Sequence, residues 1–180
     1  MPVWIVVSYL IVSACCVFSV ARLYRRQRKG SALSALSAYL SYTLAFLAIW
    51  IFGLIVPSYL ILLTMLTVLL ACAVGDYLGY YERSKIFDRY LHAYGSFSFA
   101  LFSYCVLDDL TQVGGSKIFR ALCVFLIGNT LGALFELIEA RHDTKSKVKS
   151  QKGLKDTDMD MLSNLIGSVL AGVFAYVWLL

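Results

Sequence analysis

At 180 residues, with 60 % hydrophobic and 15 % charged residues and a mean hydropathy of +0.76, the chain is far too apolar for a water-soluble domain. Its formal net charge of +5 comes without a nucleotide-binding glycine loop, solenoid repeat or low-complexity tract, so no nucleic-acid partner is expected. The five cysteines, Cys15, Cys16, Cys72, Cys105 and Cys123, lie in apolar segments and form no CxxC pair, which excludes a disulfide framework and a zinc-ribbon site.

A bilayer is crossed by about 20 helical residues. Six apolar blocks reach that length: Val3–Arg22, Ala35–Leu54, Ser58–Leu78, Phe87–Leu107, Lys117–Ala140 and Met159–Leu179. They lack the strict alternation of barrel strands. The expectation is an all-α fold, a polytopic bundle of six transmembrane helices forming a single domain over residues 1–180. The first block has nothing basic before it and "RLYRRQRKG" after it, the pattern of a retained reversed anchor. In the second, Ser34, Ser37 and Ser41 share a face suited to joining helices, and Pro57 in "GLIVPS" separates it from the third. Tyr77, Tyr80 and Tyr81 form an aromatic belt at the end of the third, and these first three spans read as chemically quiet.

The last three spans carry charge. The fourth opens "FDRYLHAYGS", which aligns Asp88, His92 and Gly95 on one helical stripe. The fifth, "IGNTLGALFELIEARHD", aligns Asn129, Gly132, Glu136 and Glu139. In the sixth, "TDMDMLSNLIG" leads Asp160, Asn164, Gly167 and Ala171 along one face, with Asp158 pointing away. Small residues on these stripes let helix backbones approach closely. All 16 Lys and Arg residues except Lys117 and Arg120 fall in the first, third and fifth loops, which places those loops in the cytoplasm of a cell-membrane protein and both termini outside. Asp88, His92, Glu136, Glu139 and Asp160 then converge near one membrane face. Ionisable groups inside a membrane are costly and face protein or water with partners, so the convergence points to a site.

The order Asp-Arg-x-x-His at Asp88–His92, Phe-Glu-x-x-Glu at Phe135–Glu139 and "KDTDMDMLSNLIGS" at Lys155–Ser168 resembles the YjdF-like group of small membrane proteins. More distantly it is similar to the VanZ-like family. The resemblance implies a polytopic fold in the cell envelope and no established reaction. The loop Arg141–Thr157 is lysine-rich, where the YjdF-like pattern carries glycine and tryptophan.

Three function classes fit these residues. The first is an enzyme acting at the cytoplasmic surface on a lipid or lipid-linked headgroup, with His92, Glu136 and Asp160 as catalytic groups. Asp88, Glu136, Glu139 and Asp160 would hold a divalent cation, Mg²⁺ or Mn²⁺, through hard oxygen ligands. Arg89, Asn129 and Asn164, with Lys145 and Lys147 of the fifth loop, would contact the substrate, the lysines drawing anionic headgroups. The second class is a proton-coupled transporter and the third a non-catalytic structural or envelope-stress protein. The sequence leaves the oligomeric state open.

Overall fold

The structure, a computed structural model, describes residues 2–145 and 153–180, with only the backbone of residues 142–145. Among those residues it is entirely helical: α1 (Val3–Arg25), α2 (Lys29–Phe52), α3 (Ser58–Leu69), α4 (Tyr80–Arg83), α5 (Lys85–Thr111), α6 (Lys117–Lys145) and α7 (Leu154–Phe174). Two helices continue into wider π-helical turns, α3 through Leu70–Tyr77 and α7 through Ala175–Leu179. The chain forms two compact units, Met1–Asp88 and Arg89–Leu180.

In the first unit, side chains tie helices together where lipid gives apolar faces no reason to associate. The Tyr9 ring stacks on Phe46 with centroids 4.1 Å apart, and its hydroxyl donates to Thr43 Oγ1 at 3.2 Å. The Tyr42 hydroxyl donates to the Ile61 carbonyl at 3.3 Å, and the Cys72 thiol to the Ala35 carbonyl at 3.3 Å. Gly53 ends α2 in the left-handed region (φ 66°), and Pro57 (φ −54°) leads into α3 at Ser58. The short helix α4 is invisible to hydropathy. It folds the Tyr81 ring onto Gly75, where any Cβ would collide with it. One expectation needs correction: the first three spans are not chemically quiet. Asp76, in the π-helical end of α3, is only 7 % exposed and has Arg28 and Ser34 beside it.

In the second unit α6 runs antiparallel to both neighbours. Arg120, near its start, meets Tyr104 and Asp108 near the end of α5, while Glu136, near its end, meets His92 near the start of α5. α5 and α7 are parallel, with Ala93 against Gly167 and the Phe97 ring on Phe174 at 5.7 Å. The buried face of α6 is Val124, Gly128, Gly132 and Glu136, one residue every fourth position. Its glycines let α7 close in: a Cβ on Gly132 would lie 2.6 Å from Asn164 Cβ.

Among the described residues five helices are long and apolar enough to cross a membrane: Val3–Arg25, Lys29–Phe52, Ser58–Tyr77, Lys117–Arg141 and Leu154–Leu179. α5, at 27 residues, has the length but carries Asp88, Arg89, His92, Asp108 and Asp109. The helices also overrun the apolar blocks. α2 starts at Lys29, α6 continues to Lys145 and α7 starts at Leu154, because backbone hydrogen bonding continues after apolar residues give way to interfacial ones. The loop expected over Arg141–Thr157 is therefore helical at both ends. Lys147 lies outside the described residues, as does the side chain of Lys145.

Candidate functional site

The site grows out of the packing of α5, α6 and α7 in the second unit. Small residues set the spacing. A Cβ on Gly167 would run into the Ala93 carbonyl oxygen, so α7 presses against α5 with no intervening side chain. That approach brings Asn164, 2 % exposed, between the other two helices. Its Oδ1 accepts a hydrogen bond from Ser96 Oγ at 2.8 Å and lies 3.3 Å from His92 Nδ1. Its Nδ2 is buried without a hydrogen-bond partner. A bare amide donor in such surroundings costs about 1–3 kcal/mol, so the packing that holds Asn164 there is strong enough to offset it.

His92 is the hub. Its Nδ1 lies 3.5 Å from Glu136 Oε1, and both side chains are largely buried. Ligating atoms of His92, Glu136 and Glu139 lie within 4.8 Å of one another, and His92 and Asp160 come within the same limit in a second group. The two groups share the imidazole. Asp160 is buried and Asp158 exposed, so the first turns of α7 aim one of the two carboxylates inward. Asp88 ends the first unit, one turn before His92 on α5. Asn129 is half-buried on α6, two turns before Glu136. Arg89 is half-buried with its Nε enclosed and unbonded.

One site residue escaped the sequence reading: Ser96, four positions after His92, is buried and bonded to Asn164. Asp156, four before Asp160, is also buried. The signal for Ser96 was the same four-residue step, followed one turn further. On α5 the stripe runs through Ser96 where Gly95 had been expected.

Chemically, the carboxylates are hard oxygen donors of the kind that suit Mg²⁺ or Mn²⁺, the imidazole nitrogen is a borderline ligand, and among the described residues no cysteine belongs to either group. Acids this close repel when ionised, and a cation or shared protons would relieve the repulsion. The polar file is short. Ser168 Oγ donates to the Asn164 carbonyl at 2.7 Å, and beyond it Ala100, Leu101, Val124 and Ala171 are all 0 % exposed. The far end of the unit has a separate polar cluster, in which Arg120 Nη2 pairs with Asp108 Oδ2 at 3.0 Å and Arg120 Nε donates to the Tyr104 hydroxyl at 2.8 Å.

Residues 5–180 match the family described as "Predicted membrane protein (DUF2238)", and the chain belongs to that family. An uncharacterized protein of Thermotoga maritima is 30 % identical over 122 residues, which cover 67 % of this chain and 64 % of the relative, so the chain spans less than two thirds of that protein's length. No solved structure matches.

Proposed function

We propose that the second unit is a divalent-cation site of a membrane enzyme, placed at the cytoplasmic surface and directed at a lipid or lipid-linked headgroup. The observation that carries this reading is the set of His92, Glu136 and Glu139 donors within 4.8 Å, on two helices locked by glycine contacts to a third. Glu136 and Glu139, together with Asp160, would hold the ion. Bound Mg²⁺ or Mn²⁺ would supply Lewis-acid polarisation of a headgroup oxygen. His92, oriented through Nδ1 by Asn164 and Glu136, would complete the coordination of the ion. Ser96 holds the Asn164 amide and so acts as a positioning residue. The reading includes kinship with YjdF-like proteins, a more distant one with VanZ-like proteins, and α5 as a sixth span that leaves both termini outside. The unequal spread of basic residues over the loops supports that topology. Transport is the weaker reading, because the apolar layer at Ala100, Leu101, Val124 and Ala171 interrupts the polar file.

Calorimetric titration of metal-stripped protein with Mg²⁺ and Mn²⁺ tests the site. Saturable binding in the wild type, weakened at least tenfold in Glu136→Gln and Asp160→Asn variants of unchanged helicity, is expected. Equal heats in wild type and variants would remove these residues from cation binding.

A further inference from the structure

At one end of the first unit, the last turn of α1, the start of α2 and the segment through α4 bring together Arg22, Arg26, Arg28 and Arg83. They are organised in two ways. Arg22 and Arg26 lie over aromatic faces, with Cζ 5.9 Å from the Phe18 ring centroid and 5.3 Å from that of Tyr77. The two rings meet edge to face at 5.8 Å, so α1 and the end of α3 form one aromatic platform under both guanidinium groups. Arg28 and Arg83 converge on Gly79. A Cβ there would be 3.6 Å from Arg28 Nη1 and 4.0 Å from Arg83 Nε, and the positive φ of 77° is what lets the backbone turn between them. Among the described residues the ion pair at this end joins Arg28 to Glu82. Asp76 lies beside Arg28 but is buried. Arg22, Arg26 and Arg83 are exposed.

We propose that this end of the first unit is a binding surface for anionic phospholipid, with the headgroup phosphate seated between Arg28 and Arg83 at Gly79 and a second headgroup attracted to Arg22 and Arg26. The chemistry selects a phosphodiester. Guanidinium groups give planar, paired N–H donors that match phosphate oxygens, and arginines stacked on rings keep those edges free. Position selects a lipid over a soluble anion. Arg22 and Arg26 lie at the end of the apolar helix Val3–Arg25, and Arg28 immediately precedes Lys29–Phe52, where headgroups meet the hydrocarbon. The proposal is independent of the cation site in the second unit.

The test uses the full-length protein reconstituted in nanodiscs of equal parts phosphatidylcholine and phosphatidylglycerol, with the lipids retained on the protein counted by native mass spectrometry. The wild type is expected to retain phosphatidylglycerol preferentially. Arg28→Gln with Arg83→Gln should lower that preference about fivefold for each charge removed. Arg22→Gln with Arg26→Gln, a pair on the other arm of the surface, should lower it independently, with helicity by circular dichroism unchanged. No preference in the wild type, or an undiminished preference in both double variants, would overturn the proposal. Complete displacement of phosphatidylglycerol by soluble glycerol phosphate would also overturn it, because the notch would then belong to a soluble phosphate.

Discussion

Asn164 joins the three helices of the second unit through a few atoms. One oxygen takes the Ser96 hydroxyl and faces the His92 ring, while its Cβ fills the space that Gly132 leaves open. Residues in such contact cannot be changed independently. Adding one methyl at Gly132 or Gly167 overpacks the junction, and we expect each Gly→Ala variant to lose about 1–3 kcal/mol. Gly167→Ala should be the worse of the two, because its methyl meets the Ala93 backbone instead of a side chain. Gly172→Ala, whose methyl would lie 3.2 Å from the Ala121 carbonyl, a tight contact but not an overlap, should cost the least of the three. Thermal unfolding in detergent checks the order, and equal midpoints for Gly167→Ala and Gly172→Ala would contradict it. A second comparison separates Asp158 from Asp160 on α7: Asp158→Asn, at an exposed position, should leave cation binding and stability unchanged while Asp160→Asn weakens cation binding.

Helices were the most legible elements, because unbroken apolar segments of bilayer length admit little else. Their ends were less so. Apolarity marks where lipid stops, whereas a helix stops where its backbone hydrogen bonds do, and α2 and α6 carry on through Lys29 and Lys145. Within the helices, His92, Glu136 and Asp160 could be found by spacing alone, since residues three or four apart share a face. The grouping of the acids could not. Which carboxylates come close to His92 depends on how closely α5, α6 and α7 approach, and that is set by tertiary contacts at Gly132 and Gly167. Asp76 was missed for another reason: its neighbours Arg28 and Ser34 are distant in sequence and come to it only through packing.

The join between α5 and α6 yields a prediction at the same scale. Arg120 ties Tyr104 and Asp108 together, and the Arg120 and Asp108 side chains are each about a third exposed, so the ion pair is partly screened. A double-mutant cycle of Asp108→Ala and Arg120→Ala should give a coupling of about 0.5–1 kcal/mol. A coupling indistinguishable from zero would show that the pair does not hold the helices.

For the whole molecule, everything about the side on which the site lies depends on α5. If α5 crosses the membrane, the chain has six spans and both termini lie outside. Five spans would put the termini on opposite faces. Reporter fusions at Lys29 and Lys149 should both read cytoplasmic and a fusion after Gly115 external, as the scarcity of basic residues between α5 and α6 predicts. An external signal at Lys149 would place α5 at the surface and take the His92 cluster away from the cytoplasmic face.

The cation site itself can be observed most directly by pulsed electron paramagnetic resonance of Mn²⁺ added to metal-stripped, full-length protein. Imidazole ligation imprints a nitrogen modulation on the manganese signal. The account predicts bound Mn²⁺ with that modulation in the wild type, its loss in His92→Gln with manganese still bound, and loss of the bound signal itself in a Glu136→Gln, Glu139→Gln variant that remains folded. Mn²⁺ that gives the spectrum of the free aqueous ion in the wild type, or a nitrogen modulation that survives His92→Gln, would contradict it.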